Sequence, residues 1–397
     1  MSQRPGTPRL LRQINDRAAL ELLLSQGPLT RAELGELTGL SKVTSGQLLS
    51  RLEDRGLVRT AGERAGGRGP NAALYTVNPS SAYVAGLEVL PDRVTAGVAD
   101  ITGQTVAEVT VDPTEAADPV KIVHSAVQRA CATADVAISQ LRSFVIGTRG
   151  VVDPRSGDVR YSFDLPAWHM GVLAGLRTSL GQPVRIENDV NLAALAEQAY
   201  GAAAGHDDFV ILWAGVGQGL GVMLGGRLHR GITGGAGEIG WLPVPGEPLP
   251  LNVTEPQSGS FQRLVGGNAL SGLAATHGID GPALLPTAAP PGFDVAHLVR
   301  TAVATGQDGF LIELAGRLAV GVAAVAVVLD PGLIVLSGDV GRAGGPALAA
   351  LVEEAVARVC PSRPRVAVTE VAGNPVLRGA LLAALDQARE QVFSDTV

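Results

Sequence analysis

The chain has 397 residues, 46% of them hydrophobic and 17% charged, with a formal net charge of −7 at pH 7. Those proportions suit a globular protein of two or three domains and exclude a disordered or fibrous chain. Two cysteines, Cys131 and Cys360, exclude a disulfide framework and fit a reducing, cytoplasmic setting.

The charge is unevenly placed. Residues 1–80 hold eleven Arg and Lys against seven Asp and Glu, a balance of +4; of the 31 basic and 38 acidic residues in all, 20 and 31 remain for the rest, a balance of −11. A basic head on an acidic body points to a polyanion as the partner of the head. The first thirty residues carry arginines throughout and read as a polar tail plus an amphipathic helix, not as a secretion signal.

The spacing predicts a first helix over Leu10–Ser25, with Leu11, Ile14, Ala18 and Leu22 on its apolar face and Gly27-Pro28 as its stop. Thr30 precedes Glu33 by three residues, the spacing of a capping box, and Leu29 with Leu34 supplies the accompanying staple. A second, short helix therefore runs from Arg31 to Gly39. Ser41 caps a third that reaches about Arg55. On the third helix Leu48, Leu49 and Leu52 share one face, while Lys42, Thr44, Gln47 and Arg51 point away from it.

Two short helices joined by a Gly-containing turn, the second polar on its outer face, make a helix-turn-helix. Its second helix would enter the major groove with Ser41 at its start. Lys42, Thr44 and Gln47 have the chemistry to read base edges, and Arg31 and Arg51 to hold phosphate. The competing reading is a plain three-helix unit with a solvated face. The next twenty residues favour DNA: strands at 56–59 and Ala73–Val77 flank Gly62–Pro70, a hairpin wing that offers Arg64 and Arg68 to a narrow minor groove. The arrangement resembles the winged helix-turn-helix of bacterial, MarR-like repressors. The expected partner is a double-stranded DNA operator, read by a homodimer or homotetramer.

After Asn78-Pro79 strands alternate with helices. Tyr83–Leu90, Arg93–Ala99 and Thr105–Val111 read as strands, Pro119–Ala134 as a helix and Phe144–Gly147 as a strand. Phe209–Ala214 and Leu220–Leu224 read as a second hairpin. Three strands followed by helices, occurring twice, predict an α/β body of two similar lobes around a cleft. The longest apolar run, Leu318–Leu329, stops at Asp330-Pro331, short of the about 20 residues a bilayer requires, and reads as a buried helix. No membrane partner is expected.

Motifs in the body resemble those of the ROK family (repressors, open reading frames and kinases), in order, from Leu11 to about Leu382. They are Ile146–Asp153 with Gly157, Trp168 and Leu176 after it; Ile186–Asn191, which carries Glu-Asn-Asp; Gly226–Gly231 leading to Gly235–Gly240; and Asp330-Pro331 with Ile334–Gly338. The resemblance implies a winged head over residues 1–80 and a two-lobed actin-like, ribonuclease H-like sugar-kinase fold over 81–397. The first lobe would span about 81–190 plus the C-terminal helix, and the second about 191–375. In the family the Asn-Asp pair and glutamates hold sugar hydroxyls. By that match Asn188, Asp189, Glu238, Trp241 and Gln262 form an effector cleft, Gln262 and Trp241 standing where the family has glutamate and histidine. The competing reading makes Asn188-Asp189 a helix cap alone.

The chain departs from the family's kinases. The phosphate loop Asp-Ile-Gly-Gly-Thr is replaced by Glu88-Val89-Leu90-Pro91-Asp92, which has no glycine and a proline without a donor. The second loop, Trp213–Gly219, keeps alternate glycines and loses a hydroxyl. Phosphoryl transfer rests on positioning and charge neutralisation, so no enzyme activity and no cofactor are expected. The family's zinc ligands are missing too: Trp241 replaces the histidine, 250–261 contains no cysteine, and no metal is expected. His169, His206 and His229 read as ordinary surface or packed histidines. The expected function is transcriptional repression controlled by a sugar-like effector. The alternatives are a sugar kinase with a DNA-binding head, or a body that only oligomerises.

Overall fold

A computed structural model of the chain describes residues 8–65, 71–115, 118–162, 165, 168, 171–250, 252, 255, 258–279 and 294–394. Arg68 and the wing tip lie outside the described residues, as does nearly all of the Pro- and Ala-rich segment 280–294.

The amino-terminal head comprises α1 (Pro8–Gln26), β1 (Leu29–Thr30), α2 (Arg31–Thr38), α3 (Lys42–Asp54), β2 (Val58–Arg64) and β3 (Ala72–Val77), with the sheet ordered β1-β3-β2. The capping box forms as the sequence implies. Thr30 Oγ1 accepts from the Glu33 amide at 3.3 Å, and Glu33 Oε2 accepts from the Thr30 amide at 2.9 Å. Gly39 then closes α2 in the left-handed region, at φ 71°, which a residue with a Cβ adopts at a cost. Ser41 Oγ accepts from the Thr44 amide at 3.2 Å and opens α3.

The buried face of α1 differs from the expected one. Leu11 and Ile14 are exposed, and the core takes Ala19, Leu20 and Leu23 instead. Both faces are apolar, and the buried one packs against β3, α2 and α3 of the head and against the last helix of the chain.

The body begins with β4 (Tyr83–Val89), β5 (Val94–Asp100) and β6 (Thr105–Val111). Then come α4 (Pro119–Ala134), β7 (Leu141–Thr148), β8 (Val151–Val152), β9 (Val159–Tyr161), α5 (Val172–Leu180) and β10 (Val184–Asn188). Its five-stranded sheet is ordered β10-β7-β4-β5-β6, with β7 parallel to both β4 and β10. This half is the first lobe. Helix α6 (Asp189–Tyr200) leads out of it to the second lobe: β11 (Phe209–Ala214), β12 (Gln218–Leu224), β13 (Arg227–Leu228), α7 (Ser260–Val265), α8 (Gly267–Thr276), α9 (Val295–Thr305), α10 (Asp308–Leu329), β14 (Leu333–Ser337), α11 (Gly338–Val359) and β15 (Arg365–Val368). The second sheet is ordered β13-β12-β11-β14-β15. The final helix, α12 (Pro375–Ser394), returns to lie on β4 and β7 beside α6.

Apolar side chains pack on both faces of each sheet, α6 also meeting the inner face of the second-lobe sheet. One face of the first-lobe sheet is covered by α4 and α5. The other is covered by α6 and α12, and this core runs without a break into the head through Leu385, Ala388, Phe393, Leu20, Leu23, Leu49 and Leu52. The second-lobe sheet buries its outer face under α7 to α11. Helix α10 departs from expectation, because Ile312, Val320, Val327 and Val328 are 37–78% exposed. Both cysteines are buried and unpaired.

Candidate functional site

The sequence implies two sites, a DNA-reading face and a cleft. On the head, Ser41, Lys42, Thr44 and Gln47 stand exposed on the first turns of α3. Leu48, Leu49 and Leu52 bury the opposite side, so the 3.6-residue period aims those polar groups outward together. The Arg31 guanidinium lies along the same helix, 3.5 Å from where a Cβ on Gly46 would stand.

Two of the arginines expected to meet DNA, Arg51 for phosphate and Arg64 for the minor groove, make ion pairs within the head. Arg51 turns inward and donates to the fully buried Asp16 of α1 at 2.5 Å, so its charge fixes α3 against α1. Arg64 pairs with Glu33 of the capping box, which ties the wing to the start of α2. Both arginines look outward in the sequence because their acidic partners are remote in it. Arg55, which sequence reasoning misses, caps α3 and donates to the Val392 carbonyl in the last turn of α12 at 3.1 Å; Gln13 donates to Ser394 O at 3.2 Å. These donors meet the carbonyl-bearing, negative end of α12.

In the body, Asn188 ends β10 and caps α6. Its Oδ1 accepts from the Asn191 amide at 3.1 Å, and its Nδ2 donates to Gly150 O at 3.1 Å. The capping role is therefore present in full. Asp189 comes next, 8% exposed, accepting from the Val190 amide. Around this turn three segments close tightly. Gly219 packs on Val190, Gly237 on Leu220 O, and Gly234 on Val152 O. At φ 83° and with Val152 O 1.9 Å from an added Cβ, position 234 admits only glycine. Glu238 comes off that loop, and burial pushes its carboxyl above the ordinary range. Trp241 is half-buried at the end of a short 3-10 turn (Ile239–Trp241). Gln262, on α7, is 4% exposed and directs its Nε2 to Val216 O at 2.6 Å, so that amide proton serves the second glycine loop.

Beneath Asn188 lies the first residue of the Glu-Asn-Asp motif, to which the sequence reading gives no role of its own. Glu187, 3% exposed, accepts at Oε1 from Asn191 Nδ2 (3.0 Å) and the Asn188 amide (3.2 Å), and at Oε2 from Arg185 Nη2 and Arg230 Nε, both 2.7 Å. Burial alone would raise its carboxyl; Arg230, Arg185 and Asn191 outweigh that and hold it below the usual range.

The two loops singled out in the sequence, 88–92 and 213–219, are tied by hydrogen bonds within the chain. Glu88, in register with Gly147 and through it with Glu187, is buried and accepts from Asn374 Nδ2 at 2.6 Å, its carboxyl pushed up by burial. The Leu90 amide donates to Arg93 O to close the β4–β5 turn. Gln218 Nε2 donates to Gly215 O at 2.9 Å, and Trp213 packs against apolar clusters of both lobes.

The zinc that the ROK resemblance implies does not fit the residues present. Trp241 is no ligand, and among the described residues no three His, Cys, Asp or Glu side chains cluster. The segment is held instead by Ser260 Oγ and Arg263 donating to Pro248 O and by the Phe261 amide donating to Leu242 O.

A winged head carried on a two-lobed, sugar-kinase-like body defines the class. The sequence profile of the ROK family matches residues 84–387, and that of the MarR family residues 14–69. The chain belongs to the ROK family. It is 23% identical to the xylose repressor of Bacillus subtilis (strain 168) over 248 residues, 59% of this chain and 61% of that protein. It is 24% identical to the DNA-binding transcriptional dual regulator NagC of Escherichia coli (strain K12) over 247 residues, 62% and 60% of the two chains. The chain thus matches about three-fifths of the length of these curated relatives. Among solved structures, a ROK family transcriptional regulator described as a homolog of the E. coli MLC protein superposes with a TM-score of 0.73 at 18% identity, covering 97% of this chain and all of that one. The ROK hexokinase of Thermus thermophilus superposes at 0.61 with 27% identity, covering 78% of this chain and 99% of that one.

Proposed function

We propose that this chain is a cytoplasmic transcriptional repressor, its head (residues 1–80) reading operator DNA and its body (81–397) sensing a sugar or sugar-like effector. The first lobe of the body takes about 81–190 plus α12, and the second about 191–375. Relatives named for xylose and for N-acetylglucosamine make those sugars, and their phosphates, the first effectors to try.

The observation that carries this reading is the path of α12. Along its flank it touches α6, which opens with Asn188 and Asp189; at its end Arg55 of the α3 C-cap and Gln13 of α1 grip its last carbonyls. One rigid helix therefore joins the cleft to the reading helix. An effector that favours one lobe arrangement would shift operator affinity by its differential binding, and a 100-fold change needs about 2.7 kcal/mol. A mere oligomerisation body needs no such joint.

Kinase activity is disfavoured by Glu88–Asn374 and Pro91 where phosphate amides are required. The reading is tested by genomic pull-down with the purified chain, together with a thermal-shift screen of sugars and sugar phosphates. Enriched promoter DNA, and a sugar shift that Asp189→Asn abolishes, support it. Sugar-dependent ADP release would establish the kinase instead.

Two-fold operators call for two heads. The apolar stripe on α10, Ile312, Val320, Val327 and Val328, faces away from the core, and we assign it to a second copy of the chain.

A further inference from the structure

We propose that Arg230 is a positioning residue that clasps the two lobes, joining the loop that delivers Glu238 to the buried carboxylate that orients Asn188. The inference rests on the cleft reading above and adds to it a residue outside the expected set.

The ion pair Arg230–Glu187 ties the second lobe to the first, and its two ends are not equivalent. Glu187 is 4% exposed at its side chain and Arg230 35%, so the carboxylate is held out of water and depends on its donors, while the arginine can be lost without being trapped. Glu187 uses Oε1 to hold the Asn188 amide and the Asn191 side chain, so both residues of the capping bond that opens α6 are tied to it. It uses Oε2 for Arg185, from its own strand, and for Arg230, from across the molecule.

From Arg230 the chain runs eight residues to Glu238. Midway, Gly234 rests its backbone on Val152 of the first lobe, and Gly237 rests on Leu220 of the second. The loop is thereby pinned at Arg230 and Gly234 on one lobe and at Gly237 on the other. A polyhydroxyl ligand held jointly by Asn188, Asp189 and Glu238 has to keep these lobes at one separation. Arg230 sets that separation before the ligand arrives, which lowers the cost of binding. Because Arg185 shares the same carboxylate oxygen, removing Arg230 leaves Glu187 paired, and the variant is expected to fold.

The test uses the full chain and the variants Arg230→Met, Arg230→Lys and Arg185→Met. Without any ligand, hydrogen–deuterium exchange is followed in segments 186–192 and 230–240. The clasp predicts that Arg230→Met loses protection in both segments together, that Arg230→Lys restores part of it, and that Arg185→Met loosens the first segment alone. Unchanged protection of 230–240 in Arg230→Met overturns the proposal.

A second arm titrates D-xylose, N-acetylglucosamine and their phosphates. For whichever shifts the wild-type melting temperature, Arg230→Met is expected to weaken apparent affinity about tenfold, within the range such couplings span; unaltered affinity overturns the proposal. If none shifts the wild type, the effector reading fails, and the exchange data alone decide the clasp.

Discussion

Gly379 of α12 and Leu192 of α6 meet backbone to backbone: a Cβ on Gly379 would stand 1.9 Å from the Leu192 carbonyl oxygen. No other residue permits that approach. The contact lies between the turn that carries Asn188 and the end of α12 that holds the head. Gly379→Ala is therefore expected to force the helices apart at a cost of about 1–3 kcal/mol, as overpacking does. Helix propensity alone would give the opposite sign, since alanine favours a helix by about 1 kcal/mol over glycine. A thermal melt separates the two, and an unchanged or higher melting temperature would mean that the helices are not in this contact.

Arg51 and Lys42 share a helix and are expected to behave differently. Arg51→Ala leaves Asp16 buried with no cation, and Asp16 Oδ2 already has no hydrogen-bond partner. Because Arg51 is 37% exposed, the loss is expected at about 2–3 kcal/mol, below that of a fully buried pair. Lys42→Ala is expected to leave stability alone and to relax the preference for one base of the operator. Melting curves and binding to operators varied one base pair at a time check both. Equal stability in the two variants would show that Arg51 does not anchor α3.

Glu88 gives a pH signature. Burial raises its folded-state pKa despite Asn374, Arg93 and Arg149, while Asp92 adds to the rise. Its contribution is therefore complete below the ordinary carboxylate range and is lost as pH climbs through the raised value. Glu88→Gln keeps an acceptor for Asn374 and removes the charge. The variant is expected to melt higher than wild type at about pH 8, with the gap closing towards about pH 5. A gap independent of pH would contradict the assignment.

These sites differ in how far the sequence discloses them. Caps are legible because their chemistry is local: Thr30 with Glu33, Gly39 and Ser41 each act within four residues. The α1 face is not, since Leu11, Ile14, Ala18 and Leu22 form as good a stripe as Ala19, Leu20 and Leu23, and the face that is buried packs on β3 and, from the far end of the chain, on α12. The ion pairs of Arg51 and Arg64 are not legible in the sequence because their acidic partners lie 35 and 31 residues away. Motif order leads to Asn188, Asp189 and Glu238. Glu187 and Arg230 fall inside quoted motifs, but they lie 43 residues apart and nothing local shows that they pair.

The exposed face of α10 yields the last prediction. Ile312, Val320 and Val327 succeed one another along one side of the helix, and Val328 extends the stripe at 78% exposure. A helix core needs no such face, and a lone chain leaves it in water at a cost of roughly 25 cal/mol per Å². If a second copy covers it, Val320→Lys with Val327→Lys places charges at the centre of the interface and disfavours association. Both positions are exposed within one chain, so folding is expected to survive. Sedimentation of the double variant is expected to show monomer where wild type shows dimer, with operator affinity lost in parallel because the two heads no longer bind as one unit. A double variant that still sediments with the wild type would remove α10 from the interface and leave the pairing of heads to another surface.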